Sequence, residues 1–101
     1  MRRAARIDVN QTALVAELRQ VPGMSVYPTH TVGHGFPDIV VGWQKKTYLF
    51  EIKATVKDKL TPDEQKFFDD WHGAVARVTT TEDVLRVLGA IPLEPCQDQE
   101  P

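Results

Sequence analysis

The sequence predicts a small α/β domain, a mixed β-sheet with helices on both faces. Three observations carry this reading. Leu14, Leu18 and Val21 recur at helical spacing; three short runs rich in β-branched and aromatic residues then follow one another, Met24–Thr31, Ile39–Val41 and Thr47–Ala54. A fourth run, Ala74–Thr79, is separated from these by a helix whose start is written in Thr61-Pro62-Asp63-Glu64. Strands joined by short turns run antiparallel, whereas strands joined through a helix lie parallel with a right-handed crossover, so the sheet is mixed. At 101 residues the chain suffices for one domain with a single modest core.

Residues 1–7 carry Arg2, Arg3 and Arg6 and are expected to form a mobile basic arm. Asp8 or Asn10 is a candidate N-cap for the first helix, Gln11–Gln20, which Pro22-Gly23 ends. Glu17 falls beside Leu14, Leu18 and Val21 rather than on the solvent side; from the helix alone it reads as a boundary glutamate whose head reaches water. Pro28 inside Met24–Thr31 makes that segment an edge or irregular strand. Gly33-His34-Gly35 is a loop, and Pro37 biases Phe36 towards an extended conformation, delivering Asp38 to the mouth of the next strand. Ile39-Val40-Val41 is apolar on consecutive positions, the pattern of a strand covered on both faces. Trp43-Gln44-Lys45-Lys46 is a turn, and Thr47–Ala54 returns antiparallel.

After the polar connection Val56–Leu60, Thr61 is the N-cap, Pro62 takes the first helical position and Glu64 closes a capping box. Phe67, Phe68 and Trp71 give this helix a bulky inner face, with Lys66, Asp69 and Asp70 towards water, and His72-Gly73 stops it. Ala74–Thr79 alternates as a strand; Thr81–Leu88 is a short helix closed by Gly89. The expected organisation is one domain over residues 1–89, including the arm, and a flexible acidic tail over 90–101.

Composition narrows the class. Hydrophobic residues at 42% and charged residues at 26% describe an ordinary globular chain. No apolar run approaches the roughly 20 residues of a membrane span, and the basic start is followed by polar residues, so a cytoplasmic protein is expected. The lone cysteine, Cys96, has no intramolecular disulfide partner, and the histidines have no zinc-ligand spacing. The net charge is −2, but Glu94, Asp98 and Glu100 lie in a tail without Lys or Arg; setting these three charges aside leaves +1. Net charge therefore neither supports nor excludes a nucleic-acid partner.

The chemistry lies between Gly33 and Lys53. Side chains two apart on a strand share a face, so Glu51 and Lys53 point one way while Phe50 and Ile52 point the other. Hairpin pairing brings Asp38 opposite the Glu51–Lys53 end of its partner strand. Two carboxylates so close repel unless one holds a proton or a hard divalent cation lies between them. Mg²⁺ keeps several waters, so Asp38, Glu51 and the carbonyl of Ile52 suffice as protein ligands. Lys53 would orient or deprotonate the attacking water, or neutralise charge on a pentacovalent phosphoryl group. A surface hairpin with a cross-strand ion pair is the alternative, and spacing alone leaves both open.

Pro37-Asp38, twelve residues, then Glu51-Ile52-Lys53 resembles the PD-(D/E)XK nuclease motif. The surroundings resemble the stand-alone virus-type replication-repair nuclease (VRR-NUC) branch, related to Holliday-junction resolvases. That branch shows a leading helix with a glutamate, a Val-Gly-x-Gly-x-Pro-Asp loop, a Glu-x-Lys strand and then Leu-Thr-x-x-Gln. Here stand Glu17, Val32-Gly33-His34-Gly35-Phe36-Pro37-Asp38, Glu51-Ile52-Lys53 and Leu60-Thr61-Pro62-Asp63-Glu64-Gln65. The resemblance covers about Asp8 to Leu88 and implies a restriction-endonuclease-like αβββαβα core. It implies Glu17 as a further metal ligand, direct or through water, and Gln65 as a side chain pointing back to a metal-bound water or phosphate.

The resemblance further implies a Mg²⁺- or Mn²⁺-dependent endodeoxyribonuclease acting on branched or structured DNA in a bacterial or phage-infected cell, as a homodimer whose two sites match a two-fold junction. Lys45, Lys46, Lys57 and Lys59 are phosphate-contact candidates, or simply solubilising lysines. His34 is placed to touch the scissile phosphate or is a loop histidine; Trp43 and Tyr27 stack on bases or cap the core. The alternatives from other classes are a non-catalytic DNA-binding or DNA-packaging accessory and a protein-interaction module whose acidic tail recruits a partner.

Overall fold

The computed structural model describes residues 9–91. The expected basic arm and, beyond residue 91, the expected acidic tail with Cys96 lie outside the described residues. Seven elements follow in the order α1 (Val9–Leu18), β1 (Met24–Pro28), β2 (Ile39–Trp43), β3 (Lys46–Ile52), α2 (Pro62–Asp70), β4 (Ala74–Val78) and α3 (Thr81–Leu88). The strands form one sheet in the order β1-β2-β3-β4, antiparallel across the first two pairings and parallel across the last. This is the mixed α/β arrangement expected from the turn between β2 and β3 and the helix between β3 and β4.

The local causes are legible in the sequence. β1 lies at the sheet edge and Pro28 is its last residue, a position where a missing N–H costs little. Gln44 and Lys45 form the two-residue link between β2 and β3, and both adopt positive φ, 53° and 71°. A tight hairpin demands this left-handed pair because only such a turn matches the right-handed twist of the strands. Thr61 caps α2: its side chain accepts from the Glu64 N–H, and Glu64 Oε1 accepts from the Thr61 N–H at 2.8 Å. α3 has the same device in Thr80 and Asp83, and ends at Gly89 with φ 82°. α1 begins at Val9, so Asn10 lies inside the helix rather than capping it, and its side-chain amide donates to the Thr79 carbonyl.

The sheet has two unlike faces. On the inner face Val26, Ile39, Val41, Phe50, Ile52 and Val78 pack against Leu14, Val15 and Leu18 of α1 and Val84 and Leu88 of α3, making the core. Alternate residues of the same strands form the outer face: Tyr27, Val40, Leu49 and Val75 in one cross-strand row, Glu51 and Arg77 in the next. α2 lies over this outer face, tied to it through Glu64 and Lys53. It covers that face only in part, since Val40 is half-buried and Tyr27 is 66% exposed. The expected bulky inner face of α2 is also corrected: none of its residues is fully buried, Phe67 and Phe68 are half-buried and Trp71 is exposed. No helix among the described residues is long and apolar enough to cross a membrane.

Candidate functional site

Asp38 stands where the loop after β1 enters β2, and its backbone is fixed on every side. Pro37 is fully buried. The Thr29 N–H donates to the Asp38 carbonyl at 2.7 Å, and the Thr29 hydroxyl donates to the Pro37 carbonyl at 2.8 Å. The Asp38 N–H donates to the Phe50 carbonyl at 2.9 Å, and Asp38 Oδ2 accepts from the Ile52 N–H at 2.8 Å. Because Ile39 pairs with Phe50, extending the register by one sets Asp38 opposite Glu51. The two carboxyl groups are close enough that each perturbs the titration of the other.

Glu51 is only 4% exposed, in a sheet position flanked by Leu49. Burial, reinforced by the charges of Asp38 and Glu64, pushes its carboxyl up to about 9. Burial also raises Asp38, against the opposing pull of the Ile52 N–H. Without a cation the pair therefore favours keeping a proton at neutral pH, as buried neighbouring carboxyl groups do.

Lys53 completes the group. Its Nζ lies 3.7 Å from Glu51 Oε2 and 2.8 Å from Glu64 Oε1. Burial disfavours the ammonium, but the hydrogen bond and charge of Glu64 prevail and raise it above the ordinary lysine value. For Glu64, burial acts upward and is overcome by Lys53 and the Thr61 N–H, which hold it below the ordinary carboxylate value. One oxygen, Glu64 Oε1, thus serves both the α2 capping box and the lysine.

Asp38, Glu51 and Lys53 line an open cavity of about 500 Å³ with Gln11, Ile52, Ala54, Asp58 and Lys59. The loop on its far side is held by Arg77, which stands beside Glu51 in the register; its guanidinium donates to the Thr55 carbonyl at 2.7 Å and the Asp58 carbonyl at 3.1 Å. The donor chemistry fits a hard divalent cation. Among the described residues no three His, Cys, Asp or Glu side chains are poised together to hold a metal. An ion here would rest on Asp38, Glu51, the backbone at Ile52 and water.

Compared with protein-family models, curated proteins and solved structures, the chain matches none.

The structure brings Asp38, Glu51, Ile52, Lys53 and Lys59 to one cavity and leaves other sequence candidates outside it. Glu17 is exposed and accepts a hydrogen bond from the Thr81 hydroxyl, on the α3 side of α1. The inward stripe of α1 runs through Gln11, Leu14, Val15 and Leu18, and Gln11 reaches the cavity six residues before Glu17, about 9 Å along the axis. Gln11 is 5% exposed and its amide lies 3.5 Å from His30 Nδ1. Gln65 is exposed and donates to Asp69 Oδ1 at 3.0 Å, so it does not face the cavity.

Counted from Leu60, the pattern Leu-Thr-x-x-Gln ends at position 64, and Glu64 is the residue that reaches Lys53. That count was the available signal. For Gln11 there was none, since an amide at the start of an amphipathic helix reads as solvated. Lys45 and Lys46 sit at the turn end of the hairpin, five strand residues or about 16 Å from the Asp38 end. Lys57 is exposed on the loop that Arg77 holds, and His34 lines a neighbouring cavity beside α2.

Proposed function

We propose that the protein is a divalent-metal-dependent endodeoxyribonuclease that hydrolyses phosphodiester bonds in branched or structured DNA, on a restriction-endonuclease-like core. The observation that carries this is the burial of Glu51 beside Asp38, two carboxyl groups brought together next to an ammonium at the wall of an open cavity. A cross-strand surface ion pair does not account for it, because an isolated buried carboxylate pair is costly unless a cation or proton resolves it. The element order, with both acids at the ends of adjacent strands, supports the core proposed.

Asp38 and Glu51, with the Ile52 backbone, would hold Mg²⁺ or Mn²⁺; such an ion neutralises phosphoryl charge and acidifies a bound water. Lys53 is held charged by Glu64, so of the two roles open to it, orienting water and countering developing negative charge suits it better than accepting a proton. Lys59, at the rim, would contact the DNA backbone. A homodimer acting on both strands of a junction and a cytoplasmic location belong to the same proposal. The closed Lys53–Glu64 pair favours one second reading, a DNA-binding accessory that keeps the fold without cutting.

Labelled four-way junction, flap, single-stranded and linear duplex DNA incubated with the protein and Mg²⁺ or Mn²⁺ tests the proposal. EDTA, Asp38→Ala and Lys53→Ala serve as controls. Cutting that needs metal and disappears in both variants while Asp38→Ala still binds DNA is the expected result. Absence of metal-dependent cutting on every substrate, with binding retained, would favour the accessory reading.

A further inference from the structure

Glu64 and Phe67 lie three apart on α2 and Trp71 is its C-cap, its N–H donating to the Phe67 carbonyl, so the stripe that starts at the Lys53 ion pair continues as aromatic rings to the helix end. Phe67 meets Phe36 edge-on, with centroids 5.2 Å apart, and lies nearly parallel to the Trp71 indole, 5.0 Å away at 21°. Trp71 is 41% exposed and is fixed from behind: a Cβ at Gly73 would stand 2.7 Å from its Nε1, so only glycine lets the ring lie there. The loop opposite is equally fixed. Gly35 has φ 80°, and a Cβ there would fall 2.4 Å from the Asp63 carbonyl; the neighbouring His34 is left on the cavity wall. Between loop and rings is a cavity of about 330 Å³.

We propose that this ledge binds one unpaired nucleobase of the DNA substrate, stacked on the Trp71 indole. The inference deepens, and rests on, the reading of the adjoining cavity as a DNA-cleaving site. Charge selects a base over a phosphate: Asp63 and Asp70 line the cavity, and its one ammonium, Lys66, is already paired with Asp70 at 2.7 Å. Such a rim repels the DNA backbone, whereas carboxylates accept from the exocyclic amines and ring N–H groups of bases. The volume lies at the small end of ligand clefts, roughly 300 Å³ and upward, and suits a single base. The seven residues from Glu64 to Trp71 rise about 10 Å. That is roughly three steps of a strand that keeps the stacked spacing of about 3.4 Å. The base would therefore belong to a nucleotide about three positions from the bond at Lys53, in a flap, tail or opened junction arm.

The test is equilibrium binding in EDTA of labelled duplexes with a 3′ or 5′ single-stranded tail, one abasic nucleotide being walked along the tail. Stacking of a base on an aromatic side chain changes affinity by about five- to a hundredfold. One tail position is expected to show such a loss with the intact protein. Trp71→Ala should lose a similar factor on the intact tail, become insensitive to the abasic position and bind blunt duplex as before, and Trp71→Phe should keep most of the affinity. The walk on the intact protein remains decisive should Trp71→Ala fold poorly. An affinity that ignores every abasic position, or an equal loss by Trp71→Ala on blunt duplex, overturns the ledge. Adding Mn²⁺ to the same DNAs separates the two readings: cutting with no abasic effect overturns the ledge alone, and an abasic effect with no cutting supports the ledge and sinks the nuclease.

Discussion

Along β3, Phe50 and Ile52 turn inward between α1 and α3, while Leu49, Glu51 and then Lys53 turn outward under α2. One strand therefore serves two environments. The inner face follows the ordinary rule for a small core, apolar side chains closed over by two helices whose own stripes are apolar. On the outer face a carboxylate is buried beside another and its helix rests on a lysine and a ring stack rather than on a core. The contrast teaches where this chain gives up stability: Glu51 sits in a place where leucine or valine would pack, a cost that the proposed cation site would offset.

The largest separation of the faces should come from their point variants. Asp38→Asn is expected to abolish metal-dependent DNA cutting, at least about 10³-fold in rate, while leaving the melting temperature at neutral pH unchanged or higher. Phe50→Ala, on the inner face, should destabilise the fold by about 3–5 kcal/mol in urea unfolding, with cutting per folded molecule retained. Equal effects of both variants on stability would erase the distinction between the faces.

A pH series sharpens the same contrast. The Glu51 carboxyl is raised from an ordinary value of 4.5 to about 9, so its neutral form favours the folded state. Its contribution is complete below about pH 4.5 and is lost as pH rises towards 9. The metal-free protein should accordingly melt at lower temperature at pH 8.5 than at pH 5.5. Glu51→Gln should flatten that slope and raise the melting temperature at pH 8.5, and an unchanged slope would place the buried charge elsewhere. Glu64, held low by Lys53, has the opposite sign: its contribution is present above the ordinary carboxylate value and fades below it.

Smaller effects belong to the shared oxygen of Glu64. Glu64→Gln leaves an acceptor for the Thr61 N–H and should keep the α2 cap, yet it removes the charge opposite Lys53. The expected outcome is nearly wild-type stability and a cutting rate that changes more at alkaline pH, where Lys53 loses its proton sooner. Thr61→Ala, by contrast, should cost about 1 kcal/mol by removing the cap and alter cutting only modestly.

How much of this was readable from the residues follows the same division. The hairpin, the parallel crossover, the capped start of α2 and the closing Gly89 are local signals, and local signals survive into structure. The pair Asp38 and Glu51 was readable because strand alternation and hairpin register need no tertiary detail. Glu17 was not, since the angular step from Leu14 leaves it on the flank of α1, and whether a flank faces water or sheet depends on where α3 lies. Gln11 reaches the cavity from the first turn of α1, which begins at Val9, and the sequence alone left that start open between Asp8 and Asn10 as the cap. The aromatic residues at the end of α2 resemble a core stripe, but the surface beneath that helix carries charge, so Phe67 leans sideways onto Phe36 and Trp71 stacks on Phe67 instead.

The central claim is that the buried carboxylate pair is a cation site, and thermal melting at pH 8 with increasing Mn²⁺ or Mg²⁺ tests it most directly. Binding to the folded state alone raises stability by about 2.7 kcal/mol at a hundredfold excess over the dissociation constant. The melting temperature of the intact protein should climb with metal, and that of Glu51→Gln should start higher and stay flat. A melting temperature indifferent to metal in the intact protein, or an equal rise in both, would contradict the claim.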